Sequence, residues 1–188
     1  RCYAAGMENR FPKVRASRFK NFKLIKEAKT EKNITALIVR SIPQGLRSVG
    51  GYLRVHIGGD FFSQTYFNAW MKAAAFFPRV TFYSYTKSVH YLVKYLETNK
   101  LPENYKFTCS SGGKHDKLIK QTGIKTATVF FSQRAIDEKN LETDHTDEKA
   151  IFGSVDFALA LHGQQPKGSA AVKALQALKK EGFTGYSN

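Results

Sequence analysis

RVHIGGDFFS, residues 54–63, is the stretch that decides the fold class of this chain. An apolar strand runs to residue 57, Gly58 and Gly59 end it, and a helix begins at Ser63, which is the predicted N-cap. Glycine has no Cβ, so a ligand can approach the backbone closely, and an acid just past a strand can bind a cation, an ammonium or a hydroxyl. Ligand sites in α/β folds lie at the carboxyl ends of strands. The stretch therefore predicts a ligand site at Gly58, Gly59 and Asp60.

The alternation of strand and helix continues along the chain and predicts a parallel sheet with right-handed crossovers. A complete eightfold barrel needs about 250 residues, whereas this chain has 188. We therefore predict an α/β fold with about five to six strands, either a partial (incomplete) α/β barrel or a doubly wound sheet, in a single domain of residues 1–188. The predicted strands cover residues 52–57, 80–86, 105–109, 126–132 and part of 156–162, and the predicted helices cover 63–77, 88–99, 115–121 and 169–181.

Residues 1–50 are predicted to form a basic helical segment that packs on the βα core of residues 51–188. Residues 1–32 hold ten Lys or Arg against three Glu. Apolar side chains recur every three residues within 15–29, which predicts an amphipathic helix with a basic outer face, either an ordinary surface helix or a binding face. Asn33 is the predicted cap of a second helix. The predicted nucleic-acid-binding residues are Arg15, Arg18, Lys20, Lys23, Lys26 and Lys29.

A formal net charge of +15 favours an anionic partner such as nucleic acid or another polyanion. The charge comes from 21 Lys and nine Arg, which predicts weak sequence preference and strong salt dependence. Two cysteines are too few for a disulfide framework and favour a reducing compartment. The chain has no apolar run long enough to span a membrane. We therefore expect no membrane partner.

Polar residues follow each predicted strand, and in a parallel sheet these strand ends lie at one edge. Lys87, Gln133 and His162 are predicted to join Asp60 in a polar rim there. The glycine-rich segment 110–115 is a weak phosphate-binding candidate because backbone N–H groups can hold an anion. Residues 144–148 are acidic enough to suggest a metal, although a solvated loop is the favoured interpretation. Cys109, inside an apolar strand, is predicted to be buried and inert.

Four segments resemble the phage gene product 88 family: residues 1–4 (RCYA), 54–63, 80–88 and 156–163. Their order agrees over nearly the whole chain, and the family in turn resembles phage proteins of radical S-adenosylmethionine type. The resemblance implies that Cys2 is the last cysteine ligand of a [4Fe–4S] cluster, with the other cysteines upstream of Arg1. It also implies that Gly58, Gly59 and Asp60 bind the amino group of S-adenosylmethionine, with Lys87, Gln133 and His162 lining the cavity.

Two main functions follow from these features. The first is an enzyme, or former enzyme, of radical S-adenosylmethionine type that acts on a nucleic acid or a nucleotide. The second is a non-catalytic, basic phage protein that binds nucleic acid, and a virion or scaffold component is a third option. Catalytic residues are not assigned, and the expected location is the cytoplasm of the infected bacterial host.

Overall fold

A computed structural model describes residues 3–161, 168–180 and 182, with the side chains of residues 3–5 excepted. Its sheet has five parallel strands in the sequential order β1-β2-β3-β4-β5 and curls into a half-barrel. The predicted α/β fold with a partial barrel is thus confirmed, and the doubly wound alternative is wrong because the strand order never reverses. The strands are β1 (Gly51–Arg54), β2 (Val80–Thr86), β3 (Tyr105–Ser110), β4 (Thr126–Phe130) and β5 (Phe157–Ala160).

Ten α-helices accompany the sheet within the described residues, together with a 3-10 turn at Asp116–Leu118. None of the helices in this part of the chain is long and apolar enough to cross a membrane. The helices are α1 (Tyr3–Arg10), α2 (Pro12–Ala28), α3 (Glu31–Ser41), α4 (Gln44–Val49), α5 (Gln64–Ala75), α6 (Val89–Leu96), α7 (Ile119–Thr122), α8 (Gln133–Asp137), α9 (Glu148–Ile151) and α10 (Ala170–Lys180).

Several predicted boundaries shift for local reasons. Thr30, not Asn33, caps α3: its backbone is extended and its Oγ1 accepts a 3.2 Å hydrogen bond from the Asn33 N–H. Lys29 lies outside α2, because its φ of 58° ends the helix. Strand β1 stops at Arg54 and not at residue 57, since His56 adopts a φ of 65°, which is incompatible with an extended strand.

The main core lies between the outer helices and strands β1–β3. Phe82 of β2 contacts Trp70 of α5 and stacks on Tyr105 of β3, whose ring also stacks on Phe107. Helix α3 packs on α5, where the Thr35 hydroxyl donates to a backbone carbonyl. The outer face of the sheet is therefore an apolar layer that fixes the strand ends in space.

The opposite, concave face of the sheet is covered in part by α9. Ala150 of α9 packs with Ala127 and Phe157, and Tyr83 and Tyr85 lie against this smaller cluster. Alternate residues of β2 thus point to the two faces, as the period of a strand requires. A sheet covered on both faces also explains why its strands are apolar or aromatic throughout.

Candidate functional site

The glycine turn after β1 is held in place by the carboxylate of Asp60. Its Oδ1 accepts hydrogen bonds from the Phe61 N–H (2.8 Å) and the Thr86 hydroxyl (2.7 Å). Its Oδ2 accepts from the backbone N–H groups of Lys87 (2.7 Å) and Ser88 (3.1 Å). The carboxylate therefore fastens the turn to the end of the neighbouring strand.

Ser63 caps α5 as predicted, and its Oγ accepts a 3.1 Å hydrogen bond from the Tyr66 N–H. A cap at Ser63 suggests that Asp60 is freer to bind a ligand, yet four hydrogen bonds within the protein engage its carboxylate. Sequence reasoning considered only the helix that follows the turn. The partners of Asp60 come mainly from the end of β2, which lies 26 to 28 residues further along the chain.

The guanidinium group of Arg18 lies against Gly58, in the space that the Cβ of any other residue would occupy. A Cβ placed on Gly58 would lie 2.6 Å from Nη2 of Arg18 and 2.7 Å from its Cζ. Arg18 also forms a 3.0 Å ion pair with Glu8 of α1. Gly59 adopts a φ of 91°, a region that side chains rarely enter. Gly58 thus leaves room for a cation against the backbone, and Gly59 supplies a backbone conformation that other residues rarely adopt.

Lys87 lies beside this turn. Sequence analysis predicted this position, because the carboxyl ends of parallel strands lie at one edge of the sheet. Its backbone N–H reaches Asp60, and its Nζ donates to the carbonyl oxygens of Ser110 (3.4 Å) and Ser111. Partial burial lowers the pKa of the Lys87 ammonium, and the nearby carboxylates of Asp116 and Asp60 oppose that effect. Lys87 therefore links the ends of β2 and β3 at the sheet edge.

The remaining predicted rim residues are less closely tied to the turn. Gln133 is exposed at the start of α8, and its Nε2 donates to Asp137 of the same helix at 2.9 Å. His162 and Cys2 lie outside the described residues. Of the predicted residues, the structure brings together Gly58, Gly59, Asp60 and Lys87.

The glycine-rich loop after β3 already holds an anionic group. The N–H groups of Gly112 and Gly113 donate to the two carboxylate oxygens of Asp116, at 2.7 and 2.8 Å. This is the geometry expected of a phosphate cradle, with a side chain of the protein as the occupant. The loop is therefore stabilised from within its own turn.

Sequence analysis missed a polar cluster on the concave face, which we call the Arg54 cluster: Arg54, Tyr83, Tyr85 and Asp147. Nη1 of Arg54 pairs with Oδ2 of Asp147 at 2.8 Å. The hydroxyls of Tyr83 and Tyr85 donate to the same carboxylate at 3.1 and 2.9 Å. Burial first, and Asp147 second, raise the pKa of Tyr83 to about 12 and that of Tyr85 above its usual range. Both tyrosines therefore stay protonated and act as hydrogen-bond donors.

The described residues offer no ligand set for a metal. They contain no group of three or more His, Cys, Asp or Glu side chains that could hold an ion. Cys109 is a free, buried thiol, as predicted, and its Sγ lies 3.8 Å from the Thr122 hydroxyl. Burial raises the pKa of this thiol, which disfavours the thiolate form that metals bind.

Helix α2 has no buried residue among those that the structure describes, and it carries an exposed aromatic ring next to an arginine. Phe19 is 57% exposed, so the predicted apolar stripe of α2 is only partly covered. The guanidinium of Arg15 lies 5.6 Å from the centre of the Phe19 ring, and Lys23 is exposed nearby. Arg18 points inward to Gly58, which separates it from the other predicted nucleic-acid-binding residues.

Comparison with known proteins identifies the family to which this chain belongs. No curated protein matches the chain, and no solved structure does either. The model of the family described as Gene product 88 matches residues 1–181, which is nearly the whole chain. This chain therefore belongs to the phage gene product 88 family.

Proposed function

We propose that the half-barrel is the core of an enzyme of radical S-adenosylmethionine type that acts on a nucleic acid or a nucleotide. The observation that supports this proposal is the guanidinium of Arg18 above Gly58. A cation already lies against the glycine turn, at the carboxyl edge of a parallel sheet where α/β enzymes bind ligands. The amino group of S-adenosylmethionine is also a cation, and it is smaller than a guanidinium.

The residues of the turn would divide the work of binding. The backbone at Gly58 and Gly59 would receive the amino group, because neither residue has a side chain in the way. Asp60 would keep the turn in shape, since four hydrogen bonds already engage its carboxylate. Lys87 stands next to the turn, and Gln133 and His162 complete the proposed lining.

The proposed iron–sulfur cluster would supply one-electron chemistry and needs cysteine thiolates. Cys2 is the proposed ligand in this chain, together with cysteines upstream of Arg1. Cys109 is unsuited to that role, because it is buried and its thiol pKa is raised.

The test uses the full-length protein, reconstituted anaerobically with iron and sulfide. We expect visible charge-transfer absorbance and retention of S-adenosylmethionine in equilibrium dialysis. Gly58→Ala should lose most of the cofactor binding, because the new Cβ enters the cation position; Gly58 has no positive φ, so the substitution is compatible with folding. Gly45→Ala is the matched control, since its Cβ would meet nothing within 4 Å. Absence of both absorbance and bound cofactor in the wild-type protein would refute the proposal.

A second candidate, a non-catalytic nucleic-acid-binding protein, is favoured by the exposed surface of α2. Arg15 lies over the exposed ring of Phe19, and Lys26 lies over the exposed ring of Phe22. An aromatic ring beside a cation suits both base stacking and phosphate attraction. A protein that fails to bind S-adenosylmethionine but binds nucleic acid with strong salt dependence would fit this candidate.

A further inference from the structure

The Arg54 cluster differs from the glycine turn in position and in chemistry. Its three donors come from the sheet: Arg54 from β1, and Tyr83 and Tyr85 from β2. All three converge on one carboxylate, that of Asp147, over distances of 2.8 to 3.1 Å. The Arg54 guanidinium also lies 4.9 Å from the centre of the Tyr85 ring, which fixes its orientation. The sheet thus presents a preformed set of donors for an oxyanion.

Asp147 fits the role of an occupant of this set better than that of a structural member. It lies 93 residues along the chain from Arg54 and directly precedes α9. Although Asp147 is the N-cap residue of α9, its side chain makes no capping hydrogen bond. The buried Asp144 accepts the helix N–H groups of Lys149 and Ala150 instead. Helix α9 therefore does not need the carboxylate of Asp147.

The backbone of Asp147 supports the same interpretation. Its φ is 65° and its ψ is 5°, the left-handed region, which costs any residue with a Cβ some free energy, although Asp and Asn tolerate it better than most. The chain accepts this conformation while the side chain pairs with Arg54.

One hydrogen-bond donor of the Arg54 cluster is not used by the carboxylate of Asp147. The Nε–H of Arg54 is buried and has no hydrogen-bond partner within the described part of the chain. A carboxylate has two oxygens, and both are already engaged by Nη1 and the tyrosine hydroxyls. A phosphoryl group has a further oxygen that can reach Nε, and arginine binds phosphate well through two of its N–H groups.

We propose that Arg54, Tyr83 and Tyr85 form a phosphate-binding site on the concave face of the half-barrel, which Asp147 occupies until a ligand displaces it. The ligand is a phosphoryl group, either free or carried by a nucleotide. The net charge of +15 draws such ligands to the protein. The site requires no cofactor, so it stands or falls separately from the enzyme proposed above.

The test measures binding of inorganic phosphate and of adenosine monophosphate by calorimetric titration of the full-length protein in 0.15 M salt, about the physiological ionic strength. Asp147→Asn removes the competing charge and keeps a residue that tolerates the left-handed backbone. We expect phosphate to bind this variant roughly tenfold more tightly than the wild-type protein, which is about 1.4 kcal/mol. The gain should disappear when Arg54→Gln is added.

Glu148→Gln is the matched control, because it makes the same change in net charge at the next, exposed position. Asp147→Gly is a second variant that relieves the backbone strain and guards against loss of folding. An equal gain in Glu148→Gln, a gain that survives Arg54→Gln, or no gain in either Asp147 variant would overturn the proposal. Equal affinity for the two probes would support a free phosphate, and tighter binding of adenosine monophosphate would support a nucleotide.

Discussion

The hydroxyl of Thr86 donates a 2.7 Å hydrogen bond to the carboxylate of Asp60 and joins the end of β2 to the turn after β1. Thr86 is 1% exposed, so this bond forms away from water. Parallel strands share no hairpin, so a contact of this kind has to fix their loops relative to one another. The shape of the glycine turn therefore depends on a residue from the next strand.

Replacing Asp60 by Asn should destabilise the protein markedly. The amide NH₂ would take the place of a carboxylate oxygen and face backbone N–H groups that then lack an acceptor. We expect the free energy of unfolding to fall by roughly 1.5–3 kcal/mol, the usual range for hydrogen bonds to charged groups. Urea denaturation measures it. Asp137→Asn, at an exposed position, should change stability by less than about 0.5 kcal/mol, and equal losses in the two variants would contradict the anchoring role.

His56 should make the stability depend on pH. Burial lowers its pKa from 6.5 to about 4, against a smaller opposing effect of Asp60. The folded state therefore keeps His56 neutral where the unfolded chain already binds a proton. Stability from this residue is complete above about pH 6.5 and is lost as the pH falls towards about 4. The loss amounts to about 3 kcal/mol, because one pKa unit corresponds to about 1.4 kcal/mol.

The measurement is a series of urea denaturations between neutral pH and pH 4 for wild type and His56→Asn. Asn tolerates the left-handed backbone that His56 adopts, with its φ of 65°. The curve of the variant should be flatter than that of the wild type over this range. Asn99→Ala, a substitution that removes no titratable group and lies at an exposed position, should leave the wild-type slope unchanged. Parallel curves for wild type and His56→Asn would show that the buried ring does not set the pH dependence.

The fold was predictable from sequence where the pattern of burial is strong. The limits of β2, Val80–Thr86, agree with the prediction because apolar and aromatic residues occupy both of its faces. The boundary of β1 was not predictable, since the left-handed conformation of His56 depends on its packing beneath Phe61 and on its hydrogen bond to Tyr66. Local sequence patterns predict the existence of a helix or strand more reliably than they predict the residue at which it ends.

The part of the candidate site that was predictable from sequence is the part that follows from the topology of a parallel sheet. Asp60 and Lys87 lie together because parallel strands end at one edge. The contact of Arg18 with Gly58 and that of Arg54 with Asp147 join distant parts of the chain. Their formation depends on how α2 and α9 pack on the sheet, and no local spacing encodes that packing. Tyr83 and Tyr85 lie two residues apart in β2 and so share a face, but that spacing does not identify Asp147 as their partner.

Asn104 should be essential for the junction between α5 and β2. Its Nδ2 lies 2.9 to 3.0 Å from three carbonyl oxygens, those of Ala74, Phe77 and Val80. Asn104→Ala would remove the two N–H groups that these carbonyls share and should lower the free energy of unfolding by about 1–3 kcal/mol, at about 0.5–1.5 kcal/mol for each hydrogen bond. Thermal and urea denaturation measure the change. Asn99→Ala, whose amide bonds are exposed, should cost less than about 0.5 kcal/mol; a comparable cost would contradict the role of Asn104.

The exposed cations of α2 should govern any binding of nucleic acid. Changing Arg15, Lys20, Lys23 and Lys26 together to Gln removes the cations that would displace counterions from the nucleic-acid backbone. The slope of log affinity against log salt should become shallower by about 0.7–0.9 for each phosphate that the variant no longer neutralises. Filter binding to single-stranded and duplex DNA over a range of salt measures this slope.

Two control variants distinguish the effect of the α2 cations on the salt dependence from the effect of the total net charge. Lys94, Lys100, Lys106 and Lys114 are exposed elsewhere, and changing these four to Gln removes the same charge. Arg18→Gln changes a cation of α2 that faces Gly58 and not the solvent side of the helix. Both controls should keep nearly the wild-type slope, because only cations that lie at the phosphate backbone release counterions. If the distant lysines lower the slope as much as the α2 set does, the attraction is a property of the whole charge and α2 is not the interface.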